Sequence, residues 1–392
     1  MKALSCAICV LFLCLEASLP AAPWALEWSQ LIVSDNTEST AVLLGRPSGQ
    51  IIVAGTTYGK VTEPAGDPPD LFRAVFDSSG NRLRVEQFGG RGAQVLRGVA
   101  RSIWGRETLL IRDTVTQASE LVNRSSGGKE RWRLAMPSGQ VPTSGLVVDW
   151  LGNQWVATRP IPNSMPYAVA KISGSGRFLW SRDATGADKL GRPVILRRSC
   201  TDDLVVGLGA AATGVACYDA EMRQKWYTAL EPKTGILRDI AFDCTGRVFV
   251  TMVNYELRDW HTKLWCLSKD GKVLGSVRVQ GNAFSGWRVA ADRRGRVYVA
   301  GMESGEPGYP MVVEFDSTLK EVGRFYVDRK STVFIESLEV APDGRMLTMA
   351  GTANRRWFGK PTAGSADAFL VRCRRSDTDP EGSAQVAKPA NR

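Results

Sequence analysis

The stretch VAADRRGRVYVAG, Val289–Gly301, decides the fold. An apolar run, Val289–Ala291, breaks at a charged segment that contains Gly295. Alternating apolar residues then resume and end on Gly301. Read locally, this is a strand, a tight turn and a second strand.

Nearly the same pattern recurs along the chain. LVVDWLGNQWVAT spans Leu146–Thr158, and IAFDCTGRVFVT spans Ile240–Thr251. LEVAPDGRMLTMAG spans Leu338–Gly351, and LLGRPSGQIIVAG spans Leu43–Gly55. The turn glycines are Gly49, Gly152, Gly246, Gly295 and Gly344. The last two steps are each 49 residues, and the step from Gly152 to Gly246, 94 residues, is twice 47. A degenerate copy fills each wider gap, at SIWGRETLLI (102–111) and VILRRSCTDDLVVGL (194–208). Each copy is followed by a third strand, as in YAVAKISGSGR, KLWCLSKDGK and MVVEFDSTLK. A fourth then starts, often at tryptophan: Trp132, Trp180, Trp226 and, at the beginning of the series, Trp28.

One unit is therefore four short strands in roughly 48 residues, and seven units fit the chain. Four antiparallel strands at that period predict an all-β, seven-bladed β-propeller over residues 26–374. A lone unit cannot bury both faces of its sheet, whereas blades around an axis can. The series begins on a fourth strand and ends on a third, so the N-terminal strand is expected to complete the last blade. An open β solenoid is the alternative architecture. The D-x-x-G-[NR]-V-[YF]-V-x-G pattern resembles bacterial propeller repeats of the SBBP type and, more loosely, NHL and quinoprotein blades. That resemblance covers Trp28 to about Cys373 and implies a fold, not an activity. Asp149, Asp243, Asp292 and Asp343 sit at the tight turns, where an aspartate caps the turn through its side chain.

The two ends have a different composition. Lys2, the apolar run Ala3–Leu15 and the small residues that follow read as a secretory signal peptide over residues 1–22, cut after Ala22 or Ala25. The run is too short to cross a bilayer. The polar end, 375–392, reads as a disordered tail. The chain carries 50 basic and 40 acidic residues; removal of 1–22 takes Lys2 and Glu16, so 49 − 39 leaves the net charge at +10. No membrane span is expected, and nucleic acid is not favoured because like charges form no long run.

Five cysteines follow the leader. Cys200 and Cys244 share the turn before a second strand, and Cys217 and Cys266 share a third-strand place. Second and third strands are neighbours, which predicts Cys200–Cys217 and Cys244–Cys266 disulfides suited to an exported protein. Buried free thiols are the alternative. Cys373 has no matched partner.

No chemistry-bearing motif emerges. His261 is the only histidine, and no G-x-S-x-G elbow or Walker or Rossmann glycine motif is present. No catalytic residue, metal or cofactor is assigned. The connections between second and third strands hold aromatic and basic residues, and loops on a rigid scaffold are where binding tends to sit. They supply the candidate partner-binding residues Tyr58, Tyr167, Tyr255, Trp260, His261, Tyr309, Arg355, Arg356 and Trp357. The expectation is a secreted, periplasmic or cell-surface non-catalytic scaffold for a protein or anionic glycan of the envelope. A glycan lyase or hydrolase using Tyr255, His261 and Arg355 is the second reading, and a surface structural protein the third.

Overall fold

The computed structural model describes residues 24–376 apart from 35, 37, 46–48, 63–68, 90–91, 138–139, 161–166, 184–191, 210–212, 232–234, 257–258, 281–283, 304–307, 330 and 359. The expected leader and tail lie outside the described residues, save that the leader's later cut would remove Trp24 and Ala25, and that Arg375 and Ser376 begin the tail.

Seven four-stranded antiparallel sheets form a propeller. Six are consecutive meanders, β2–β5 (Glu38–Phe88), β6–β9 (Gln94–Ala135), β10–β13 (Gln140–Asp183), β14–β17 (Arg192–Ala229), β18–β21 (Ile236–Arg278) and β22–β25 (Ser285–Tyr326). We number them blades 1 to 6. Blade 7 holds β26 (Thr332–Val340), β27 (Met346–Trp357), β28 (Lys360–Arg375) and, as its outer strand, β1 (Trp24–Ile32). The N-terminal strand thus closes the ring, with Trp28 opposite Arg372 and Ile32 opposite Ala368.

The seven apolar clusters explain closure. Each lies between two neighbouring blades, and together they run once around the ring. Ile32, Ala350 and Leu370 of blade 7 pack on Ile51, Val53 and Phe72 of blade 1. Tyr298 and Val312 of blade 6 pack on Leu347, Val371 and Phe369 of blade 7. An open solenoid would leave two such faces exposed. Burying a Val, Leu or Phe contributes roughly 1.5–3 kcal/mol, so closure is strongly favoured.

The turn between first and second strands is built as its residues dictate. The Gly295 N–H donates to the Asp292 carbonyl at 3.2 Å, and Gly295 has φ of 78°. The Asp292 carboxylate accepts the amides of Arg294 at 2.8 Å and Arg296 at 3.0 Å. Asp149 and Asp243 cap their turns likewise, whereas in blade 7 Ala341 holds that place and Asp343 accepts the amide of Arg345 at 3.0 Å. In the degenerate copies Gly105 and Asp202 hold the same place, with φ of 76° and 65°. Aspartate is among the few non-glycine residues that accept that conformation.

Fourth-strand tryptophans tie blades together. The Trp28, Trp132 and Trp226 indole N–H groups donate to the carbonyls of Ser78, Gly174 and Lys269 in the following blade. A Cβ at Gly176 would come within 2.7 Å of the Trp132 ring, so only glycine fits beneath it. Trp180 departs from this pattern because Met222 stands at the glycine place, and Trp180 packs edge-on to Trp155 instead.

The expected disulfides are absent. Cys200, Cys217, Cys244, Cys266 and Cys373 are all free. Cys217 faces Val205, and Cys266 faces Phe249. Each turn cysteine lies five residues before its expected partner's ladder neighbour (205 − 200 and 249 − 244), beyond the strand end. Cys244 Sγ instead donates to the Arg293 carbonyl of blade 6 at 3.0 Å. Burial pushes the Cys217 and Cys373 thiols up to about 12.

Candidate ligand site in the central channel

The connections between second and third strands all emerge on one face, opposite the tight turns, because each blade is a meander. Two of them are not loops. β19 and β20 pair out to Glu256 and Asp259, and β27 and β28 pair out to Trp357 and Lys360. Both are extended hairpins that carry no Asn-Gly or Asp-Gly turn signal.

The nine candidate residues are spread around this face rather than gathered. Tyr58 of blade 1 is 43% exposed. Tyr167 of blade 3 is half-buried. Tyr255 and Trp260 face each other in the blade 5 ladder, and their side chains lie outside the described residues. His261 lies with Nε2 3.2 Å from Asn254 Nδ2. Tyr309 of blade 6 packs edge-on to Tyr326, whose hydroxyl donates to Glu303 at 2.6 Å. Arg355 and Arg356 sit at a ladder irregularity of β27, their side chains again outside the described residues. Trp357 corrects an expectation. It is 2% exposed and stacks on Phe369 at 4.2 Å, so it is core between blades 6 and 7, not free surface.

A concave site lies elsewhere, on the ring axis. All seven first strands carry a ladder irregularity at the same place, between Thr40 and Val42, Leu96 and Gly98, Pro142 and Leu146, Pro193 and Ile195, Leu237 and Asp239, Gly286 and Arg288, and Ile335 and Ser337. Bulges re-aim side chains. Here Arg97, Arg238, Trp287 and Glu336 occupy the extra position. The bulges sit in the half of each strand nearer the loop face.

The first strands surround a cavity of about 550 Å³ lined by Arg97, Arg101, Arg197, Arg198, Arg238 and Arg288, with Asp239, Glu336 and Glu339. Six cations against three anions leave the lining at +3. Asp239 is engaged by Arg197 Nη2 and by the amides of Ile240 at 2.9 Å and Val289 at 3.2 Å. Arg101 and Arg198 turn toward the other end, to the Gly45 carbonyl and to Asp202. Burial pushes the Glu339 carboxyl up to about 7, against the Gly45 amide and Arg101, which favour its charged form.

The inner arginines are the residues that reading the sequence missed. Their signal is a charge interrupting an otherwise apolar first strand, as in VLRGVA, ILRDIAF and GWRVAA. A buried strand has no reason to carry arginine unless the charge is paired, as for Arg73, or lines a cavity.

Comparisons add little. No family model matches the chain, and no curated protein matches it. Among solved structures, a protein of unknown function from Bacteroides caccae, solved at 1.35 Å, is similar with 14% identity. The match covers 78% of this chain and 98% of that one, with a TM-score of 0.46. It carries no argument about activity.

Proposed function

We propose that the protein is an exported, non-catalytic propeller scaffold that binds a protein or glycan partner at the cell envelope. The observation that carries this reading is the axial cavity, concave and lined by charge of net positive sign. Concave sites with a few convergent polar groups are where ligands bind. The leader-like start supports export.

The lyase or hydrolase reading is less well supported. It needs Arg355 beside His261, yet these residues belong to blades 7 and 5, with blade 6 between them. The test is a titration of the purified protein with alginate, a uronate polysaccharide, followed by analysis of the polymer. Binding without chain cleavage, unchanged in His261→Ala, is expected. Cleavage that disappears in His261→Ala would replace this reading with the enzymatic one.

A further inference from the structure

We infer that the central channel holds a site for a small oxyanion ligand, a molecule bearing a carboxylate or phosphate group, held by Arg288 with Arg197 and Arg238. This rests on the reading of the protein as a binder, and it names the ligand's chemistry.

Arg288 is the first observation. Its Nη1 donates to the Trp287 carbonyl at 2.8 Å, and its Nε donates to the Glu336 carbonyl. It forms no ion pair with a carboxylate among the described residues. Asp239 and Glu336 are near enough to favour its charge, but neither bonds to it through its carboxylate, and the oxygens of Asp239 are taken by Arg197 and two amides. Burial lowers the Arg288 pKa, and Arg197 and Arg238 lower it further. A half-buried cation whose hydrogen bonds all go to backbone carbonyls is costly to keep. An oxyanion in the cavity would remove that cost.

The rim supplies the second observation. Arg97, Arg112 and Arg159 approach one another on blades 2 and 3 at the loop end. Burial lowers the Arg112 pKa first, and Arg97 and Arg159 add to it. None of the three pairs with a carboxylate among the described residues. Mutual repulsion without a counter-ion makes a field that draws anions to the mouth. Guanidinium forks match carboxylate and phosphate geometry.

Size sets the class of ligand. A volume of about 550 Å³ admits a small acid or one acidic group of a larger partner, such as a uronate of a glycan or a carboxylate of a protein. Beside Arg288, Trp287 packs on Phe334 at 5.3 Å, and Phe334 remains 41% exposed.

The experiment is calorimetric titration of the full protein with citrate and with pyrophosphate at low salt. Wild type, Arg288→Met, Arg288→Lys and Arg223→Met are compared. Arg223 is a control, 77% exposed and bonded to Asp219. Saturable binding of at least one anion is expected, weakened about tenfold or more in Arg288→Met, less in Arg288→Lys and unchanged in Arg223→Met. Melting gives a second readout. Without anion, Arg288→Met should melt no lower than wild type; with the bound anion, wild type should melt higher. Absence of saturable binding by both probes would overturn the inference, as would equal affinity in Arg288→Met. An Arg288→Met protein that fails to fold would also overturn it, by making Arg288 a structural residue. Glycan turnover would defeat the scaffold reading and leave this site standing; a failed titration would do the reverse.

Discussion

Arg73 is buried and Arg288 half-buried against the channel, and they are compensated differently. Arg73, on β4, is 2% exposed, and three of its nitrogens are bonded. Nε and Nη2 reach the two oxygens of Glu107 on β7 at 2.8 and 2.9 Å, and Nη1 reaches Glu86 at 2.9 Å. Burial works against its charge, but the two carboxylates outweigh burial and raise its pKa. Arg288 has two backbone carbonyls and a lowered pKa. Desolvation is common to both, and only compensation differs. A fully compensated ion joins blade 1 to blade 2; an undercompensated one faces a cavity.

The largest expected effect breaks the first half of that comparison. Arg73→Met should lower stability by about 3–5 kcal/mol, because Glu107, 1% exposed, would lose both hydrogen bonds from Arg73 while its charge stays buried. Urea unfolding measures it. Adding Glu107→Leu should recover most of the loss, since two apolar residues need no counter-ion. A single variant as stable as wild type would mean that the Arg73 network holds nothing together.

Next is a second compensated ion, at the ring's closure. Glu314, 1% exposed, accepts from Arg375 at 2.8 Å, Arg296 at 3.2 Å and the Trp24 indole at 3.1 Å. Trp24 also stacks on Phe325 at 5.7 Å. Trp24→Ala should cost about 2 kcal/mol, less than a fully buried tryptophan, because Trp24 is half-buried. The loss should appear as earlier hydrogen exchange in β1 and β28 than in blades 2 to 5. Uniform exchange around the ring would mean that the closing blade is no weaker point. Leader cleavage after Ala25 would remove Trp24, whereas cleavage after Ala22 would keep it, so N-terminal sequencing bears on the same closure.

The ring was legible because its instructions are local. Asp292 and Gly295 specify a turn by their own chemistry, and Gly49 to Gly344 repeat it at blade spacing. The same alignment found the degenerate turns, where Gly105 and Asp202 keep the required backbone. The site was less legible because its parts are not neighbours in sequence. Arg197, Arg238 and Arg288 meet only when three first strands stand around one axis. Trp357 misled for a related reason. A tryptophan after two arginines reads as an exposed loop, yet β27 extends to it and Phe369 covers it. The cysteine pairing failed on register, since sharing a repeat position does not bring a turn residue opposite a strand residue.

The smallest expected effect concerns the acidic counterpart of Arg288. Glu339 accepts the Gly45 amide at 3.0 and 3.2 Å, with Arg101 as the nearby cation. Burial still dominates and lifts its pKa to about 7, above the ordinary carboxyl value of 4.5. Between those values the folded protein holds a proton that the unfolded chain has released. The contribution to stability is therefore complete below about pH 4.5 and is lost as pH rises through 7. Glu339 keeps part of its surface against channel water, so the loss is about 1 kcal/mol rather than the full value of the shift. Glu339→Gln keeps the acceptor for Gly45 and removes the titration. Its melting temperature should fall less than wild type's between pH 5.5 and pH 8. Anion affinity should move the same way, since an ionised Glu339 puts negative charge back into the channel and weakens citrate binding above pH 7. A wild-type slope that survives in Glu339→Gln would assign the titration to another group and leave Arg288 without an acidic counterpart.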